Sequence, residues 1–199
     1  AGLRPAAVGL ERLARPGPLV LVSNHASYLD VVVLASVLSG APRMVAKSDL
    51  LANPLLRLIL EKGGGLFVRR EDPRGSIEDA ARIEARLAAG DVILYFPEGT
   101  FTPTTGVRPF KLGAFKAAAA AGAEVVPISL RGVRQVLRDG TWLPRPGRIE
   151  VKVGDPVRAE GGSLAEMVRL RDRCRSWIAG ECGEPLLDLI RAGAPTFEV

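Results

Sequence analysis

The chain has 199 residues, of which 47% are hydrophobic and 25% charged, a size and balance that fit one globular unit and exclude disordered, collagen-like and disulfide-scaffold proteins. A single histidine and two cysteines do not supply the ligands of the usual zinc sites, which argues against zinc chemistry. The net charge of +5 is uneven, because residues 108–152 alone hold nine Lys or Arg against Glu124, Asp139 and Glu150, and such asymmetry points to an anionic partner.

No charged-then-apolar signal segment opens the sequence, and it contains no stretch of about 18 uninterrupted apolar residues. The expectation is a chain neither exported by a signal nor spanning a membrane; opening on Ala1 rather than Met, it reads as a processed chain or a domain cut from a longer one. Six β-rich runs then recur: residues 18–23 (PLVLVS), 43–46, 66–69, 92–96 (VILYF), 125–129 (VVPIS) and 148–153 (RIEVKV). Helical stretches separate them at residues 29–38, 54–61, 76–89 and 112–121, and residues 164–178 close the fold. This alternation predicts a single-domain α/β sandwich over residues 1–199, with a mixed, largely parallel central sheet flanked by helices. Its motif core covers about residues 18–155 and its C-terminal helical segment residues 163–191.

The stretch at residues 50–60 (LLANPLLRLIL) is apolar nearly all round, and it fits core packing or a lipid-contacting surface in which Leu55 and Ile59 take part. Cys174 and Cys182, eight residues apart, match neither a Cys-x-x-Cys motif nor a secreted framework and read as reduced structural thiols of a cytosolic chain. Aromatics are only 5% and no basic run is interleaved with stacking rings, so nucleic acid is not expected as the anionic partner. Phosphorylated small molecules and anionic lipid surfaces fit instead.

Two junctions carry candidate chemistry. The only histidine lies in Ser23-Asn24-His25-Ala26-Ser27-Tyr28-Leu29-Asp30, directly after the first predicted strand, at the kind of strand end where α/β sheets bind ligands. Within one helix, five residues would put His25 and Asp30 roughly 140° apart; they meet only if His25 precedes the helix. With Ser27 as N-cap, Asp30 falls in the first turn, where its carboxylate orients the imidazole as a general base. The same Ser27-x-x-Asp30 spacing also reads as a capping box with no catalytic meaning. The second junction, Pro97-Glu98-Gly99-Thr100, ends the VILYF strand in a turn that brings Glu98 to the same rim, although such a tetrapeptide alone is ordinary turn chemistry. A third segment, Gly63-Gly64-Gly65-Leu66-Phe67-Val68-Arg69-Arg70, ends a strand in two adjacent guanidinium groups suited to phosphate.

Taken in order, NHASYLD, GGLFVRR, FPEGT and VVPI resemble the four blocks of the glycerophospholipid acyltransferases, the family that includes 1-acylglycerol-3-phosphate acyltransferase, over roughly residues 20–130. The resemblance implies His25 as catalytic base and Asp30 as its orienting carboxylate. It also implies acceptor binding through Lys47, Arg69, Arg70, Glu98, Gly99 and Thr100, while Gly64 and Phe67 match the second block and Pro127 the fourth. The implied reaction moves a fatty acyl group from acyl-CoA or acyl carrier protein to a hydroxyl of a glycerophosphate or lysophospholipid, with no cofactor and no metal. His25 takes the hydroxyl proton while the oxygen attacks the thioester, and backbone N–H groups near Gly99 or Thr100 are candidates for the oxyanion. The expected location is cytoplasmic, peripheral on the inner face of a membrane. The sequence departs from the family at Phe101, which stands where lysophosphatidate acyltransferases carry Arg, and at Arg69, which stands where many carry Asp. Phe101 favours a less charged acceptor, such as an aminolipid or glycolipid, as an alternative, and a noncatalytic lipid- or carrier-binding domain is the alternative from another class.

Overall fold

Short runs of Val, Leu and Ile separated by amphipathic stretches fold as strands and crossover helices, because each strand buries both faces only when helices cover the sheet. The computed structural model describes residues 4–40, 42–52, 54–69, 73–138, 140–141 and 143–187, apart from the side chains of residues 54–56, 59 and 73. The strands are β1 (Ala6–Val8), β2 (Leu19–Ser23), β3 (Arg43–Lys47), β4 (Leu66–Val68), β5 (Val92–Tyr95), β6 (Glu124–Arg131) and β7 (Glu150–Val153). The helices are α1 (Leu29–Val37), α2 (Pro54–Lys62), α3 (Pro73–Ala88), α4 (Gly113–Ala120), α5 (Val133–Val136) and α6 (Leu164–Cys182).

The seven strands form one sheet in the order β1-β7-β6-β2-β5-β3-β4. Five neighbours, β6 through β4, run parallel, β7 is antiparallel to β6, and β1 pairs parallel with β7. The expectation of a mixed, largely parallel sheet between helices therefore holds. β2 is buried along its whole length, as a central parallel strand is. Its side chains alternate: Val20 and Val22 join Phe115 and Ile178 in one core, whereas Leu19 and Leu21 join Val33, Leu34 and Val136 in the other.

The structure departs from the expected elements at the edges. β1 was not foreseen, since Ala-Ala-Val acquires strand character only by pairing with Glu150, Val151 and Lys152. The four-residue α5 was also missed. Helix α6 runs beyond residue 178 to Cys182, where Gly183 at φ 72° ends it, so residues 184–187 are extended rather than part of a helical segment reaching 191. Residues 188–191 lie outside the described residues.

Helix α2 turns Leu60 into the interior while Leu58 and, just before it, Leu50 stay exposed, so the apolar stretch divides between core and surface; the side chains of Leu55 and Ile59 lie outside the description. Among the described residues, no helix is long and apolar enough to cross a membrane. Cys174 and Cys182 are free and buried, and burial pushes their thiols up to about 12 and about 11 respectively.

Candidate active site

Five parallel strands end on one rim, and the loops that leave them bring the sequence candidates together. After β2 the chain turns through Asn24, His25, Ala26 and Ser27 before α1 begins. Asn24 is buried and clamps this turn to β6, donating to the Leu130 carbonyl at 2.9 Å and accepting from the Leu130 N–H at 2.8 Å. Ser27 donates its hydroxyl to the Leu137 carbonyl at 2.9 Å and accepts from the Leu29 N–H at 3.3 Å. The turn is thus tied to residues more than 100 positions away.

Asp30, fully buried in the first turn of α1, accepts at a single oxygen, Oδ2, from three donors: the Ala26 N–H at 2.6 Å, the Ser27 N–H at 2.9 Å and His25 Nδ1 at 2.7 Å. Both readings of the Ser27-x-x-Asp30 spacing are therefore present at once. The bond from the Ser27 N–H is the reach-back half of a capping box, and the bond from Nδ1 fixes the imidazole tautomer, leaving Nε2 as the proton acceptor. Oδ1 of Asp30 is buried without a partner among the described residues.

The histidine ring is held as firmly as its hydrogen bond. Phe96 stacks on it at 4.3 Å between centroids, and Phe101 meets it edge-on at 4.7 Å. Tyr28, half exposed, meets Phe101 in turn at 4.7 Å. The residue that replaces the family's Arg thus packs directly on the imidazole.

Glu98 is placed by the turn after β5, where Gly99 at φ 83° takes a backbone conformation that side chains other than glycine rarely adopt. Its carboxylate faces inward. One oxygen accepts from the His25 N–H at 2.8 Å and the other from the Arg108 N–H at 3.0 Å. Burial pushes its carboxyl above the ordinary range, and these two N–H groups oppose the shift. Gly99 donates its own N–H to the Phe96 carbonyl at 3.0 Å, so of the two oxyanion candidates Thr100, exposed beyond the turn, is the one compatible with the geometry. The cations follow along the rim: Lys47 ends β3 and pairs with Asp49 at 2.5 Å, and Arg69 follows β4 and pairs with Glu78 at 2.8 Å. At about 4.8 Å per strand, β3 lies roughly 10 Å and β4 roughly 14 Å from β2. Arg70 lies outside the described residues.

Sequence reasoning missed the residues that hold the loop after Glu98. Arg134 pairs with Glu184 at 3.1 Å and donates to the Thr102 carbonyl at 2.5 Å. Glu184 accepts from the Gly106 N–H at 2.9 Å, and Arg175 donates to the carbonyls of Val107, Arg108 and Leu187. The extended residues after α6 also exchange backbone bonds with Val107. No short-range pattern marks these contacts, although a buried arginine on an amphipathic helix is a signal that could have drawn attention to Arg175.

A histidine–carboxylate dyad at the carboxyl edge of a parallel sheet, with neighbouring serine hydroxyls turned onto backbone carbonyls, forms a site able to take a proton from a bound hydroxyl. Residues 4–131 match the Acyltransferase family model, and the chain belongs to that family. It is 33% identical over 173 residues to the chloroplastic 1-acyl-sn-glycerol-3-phosphate acyltransferase BAT2 of Brassica napus, covering 86% of this chain and 48% of the relative. It is 31% identical over 175 residues to 1-acyl-sn-glycerol-3-phosphate acyltransferase alpha of Homo sapiens, covering 87% of this chain and 62% of that protein. The chain therefore spans only about half the length of the plant relative. The crystal structure of the 1-acyl-sn-glycerophosphate (LPA) acyltransferase PlsC from Thermotoga maritima superimposes with a TM-score of 0.75 at 22% identity, over 96% of this chain and 73% of that one, which shows the shared fold.

Proposed function

We propose that the chain is a single-domain O-acyltransferase that moves a fatty acyl group from a thioester, acyl-CoA or acyl carrier protein, to the free hydroxyl of 1-acylglycerol 3-phosphate or a related lysophospholipid. The observation that carries this reading is His25 Nδ1 bound at 2.7 Å to the fully buried Asp30. Nε2 of His25 takes the acceptor's hydroxyl proton as that oxygen attacks the thioester carbonyl carbon. The resulting oxyanion collapses, the C–S bond breaks, and the thiolate leaves with the proton that the imidazolium returns. The step balances without a metal, a cofactor or a covalent acyl-enzyme.

In this reading Lys47, Arg69 and Arg70 attract the acceptor phosphate. Gly99 and Thr100 shape the acceptor pocket, and Glu98 serves it by holding the backbone of His25. Lys47 and Arg69 start two and three strands from His25, so only their extended side chains reach a phosphate that lies a few ångströms from the reacting hydroxyl. The lipid acceptor brings the protein to a membrane, peripherally on its cytoplasmic face. Phe101 favours a second reading. Its edge contact with the His25 ring at 4.7 Å sets an apolar wall where the family carries a cation, as an acceptor without phosphate, such as an aminolipid or glycolipid, prefers.

The test is thiol release from acyl-CoA and acyl carrier protein donors, with lysophosphatidate, glycerol 3-phosphate and a phosphate-free lysolipid as acceptors, for wild type and His25→Ala. Acceptor-dependent release that the substitution abolishes is the expected result, and the preferred acceptor decides between the two readings. Full activity in His25→Ala removes the base from the mechanism. Binding of lipid or carrier with no release from any pair makes the chain a noncatalytic binding domain.

A further inference from the structure

Many arginines pair with a carboxylate among the described residues. Arg12 pairs with Asp155, Arg15 with Glu124, Arg43 and Arg86 with Asp91, Arg57 with Glu61, Arg82 with Asp79 and Arg134 with Glu184. The loop between α5 and β7 groups three that do not. Its Arg138, Arg145 and Arg148 are all exposed, none of their guanidinium groups has a partner among the described residues, and the sequence of residues 137–148 offers one acid, Asp139.

The same loop carries Leu143, 82% exposed and the most exposed large apolar side chain among the described residues. The described residues of the segment are tied down at several points. Arg145 donates its N–H to the Val136 carbonyl at 2.7 Å, Thr141 closes a turn onto the Arg138 carbonyl, and Pro144 and Pro146 stiffen the chain on either side of Arg145. Gly132, at φ 84°, turns β6 into α5 at the start of this excursion, and a Cβ there would meet the Arg148 carbonyl oxygen at 2.0 Å.

Its position matters as much as its composition. β6 delivers the loop to the rim that carries His25, and Leu137 receives the Ser27 hydroxyl two residues from the base. On that rim Tyr28 and Val32 are also half exposed, on a helix with no charged residue after Asp30. Unpaired cations beside solvated apolar side chains are the pattern of a surface that meets an anionic bilayer. An acidic protein would complement the cations but leave Leu143 unexplained.

We propose that residues 137–148, together with the outer face of α1, dock this protein on an anionic bilayer. Leu143 enters the interface, Arg138, Arg145 and Arg148 meet lipid headgroup anions, and the partly exposed His25 side chain faces the membrane. The inference rests on the reading of a lipid acceptor and deepens it by assigning the face that meets the lipid.

The experiment is flotation of the full chain with vesicles of phosphatidylcholine alone and of equimolar phosphatidylcholine and phosphatidylglycerol, alongside thiol release with a short-chain, monodisperse lysophosphatidate. Wild type is expected to float with the anionic vesicles in a salt-sensitive manner. The Arg138→Gln, Arg145→Gln, Arg148→Gln triple variant should bind them on the order of 100-fold more weakly, and Leu143→Ser roughly tenfold more weakly. Release with the monodisperse acceptor should be unchanged in both. Equal vesicle binding by variants and wild type overturns the assignment, as does wild-type binding that ignores lipid charge. A triple variant that loses only the acidic carrier protein overturns it in favour of a protein partner. Wild type that transfers acyl groups but binds no vesicles overturns the docking and leaves the function standing, whereas rim-dependent binding without transfer upholds the docking and overturns the function.

Discussion

The ends of β2 and β5 and the ends of β3 and β4 reach the same rim under opposite kinds of restraint. At β2 and β5 the functional groups are buried and held by neutral partners. Asp30 gathers two backbone N–H groups and the imidazole on one oxygen, Glu98 bridges the N–H groups of His25 and Arg108, and Asn24 ties the turn to Leu130. At β3 and β4, the half-buried Lys47 pairs with the exposed Asp49, and the exposed Arg69 pairs with the exposed Glu78 at 2.8 Å and, more loosely, with the buried Asp79 at 3.7 Å. Buried hydrogen bonds fix geometry because breaking them strands a desolvated group, whereas exposed ion pairs are nearly isoenergetic with their solvated halves. The His25 turn is therefore the more rigid half, and the exposed ion pairs at β3 and β4 cost less to rearrange.

That contrast predicts a graded set of effects. The largest is expected for Asp30→Asn, which keeps the shape of the first turn but replaces the carboxylate that accepts from the imidazole. Turnover should fall about 10²- to 10⁴-fold with KM little changed; a loss confined to KM in steady-state kinetics would show that Asp30 only caps the helix. Glu98→Ala comes next, since it leaves two backbone N–H groups without acceptors at about 1–3 kcal/mol each. Urea unfolding should show the loss, and turnover should drop because His25 is no longer held from behind. An unchanged midpoint would place Glu98 outside the clamp.

On the exposed side, Arg69→Gln should raise KM for a phosphate-bearing acceptor several-fold, leave kcat alone and shift unfolding by no more than about 0.5 kcal/mol. A stability loss as large as that of Glu98→Ala would abolish the distinction between the two halves of the rim. The smallest effect concerns pH. Because the Glu98 carboxyl is raised in the folded protein, between its unfolded and folded values the native state binds more protons than the unfolded chain. Its contribution to stability therefore falls as pH rises through that interval. Glu98→Gln should flatten this limb of the stability profile, and an identical slope in both proteins would count against the assignment.

Much of this was legible from local pattern. The β-rich runs at residues 18–23 and 92–96 located two strands of the sheet, and the position of His25 before the helix, with Asp30 inside it, followed from the 100° step of a helix. The rest depends on pairings that local pattern does not encode. β1 exists because of Glu150, Val151 and Lys152. Asn24 reads as a loop residue until Leu130 faces it. The motif drew attention to Glu98 as a rim residue, but its inward turn follows from two N–H groups that only the fold brings within reach. Phe101 was visible as a departure from the family, while its contact with the His25 ring required coordinates.

The short extended stretch after α6 carries one further consequence. Glu184 and Leu187 hold Gly106 and Val107, Arg175 holds the carbonyls beside them, and the loop so fastened presents the Arg108 N–H to Glu98 behind His25. During synthesis from the N-terminus, His25 and Asp30 leave the ribosome early, yet the scaffold behind them waits for residues more than 150 positions later. Non-local closure of this kind is slow to form, and the turn that carries His25 lacks its full backing until residues 175–187 have been made. A product that stalls before Glu184 therefore lacks the brace that presents the Arg108 N–H to Glu98.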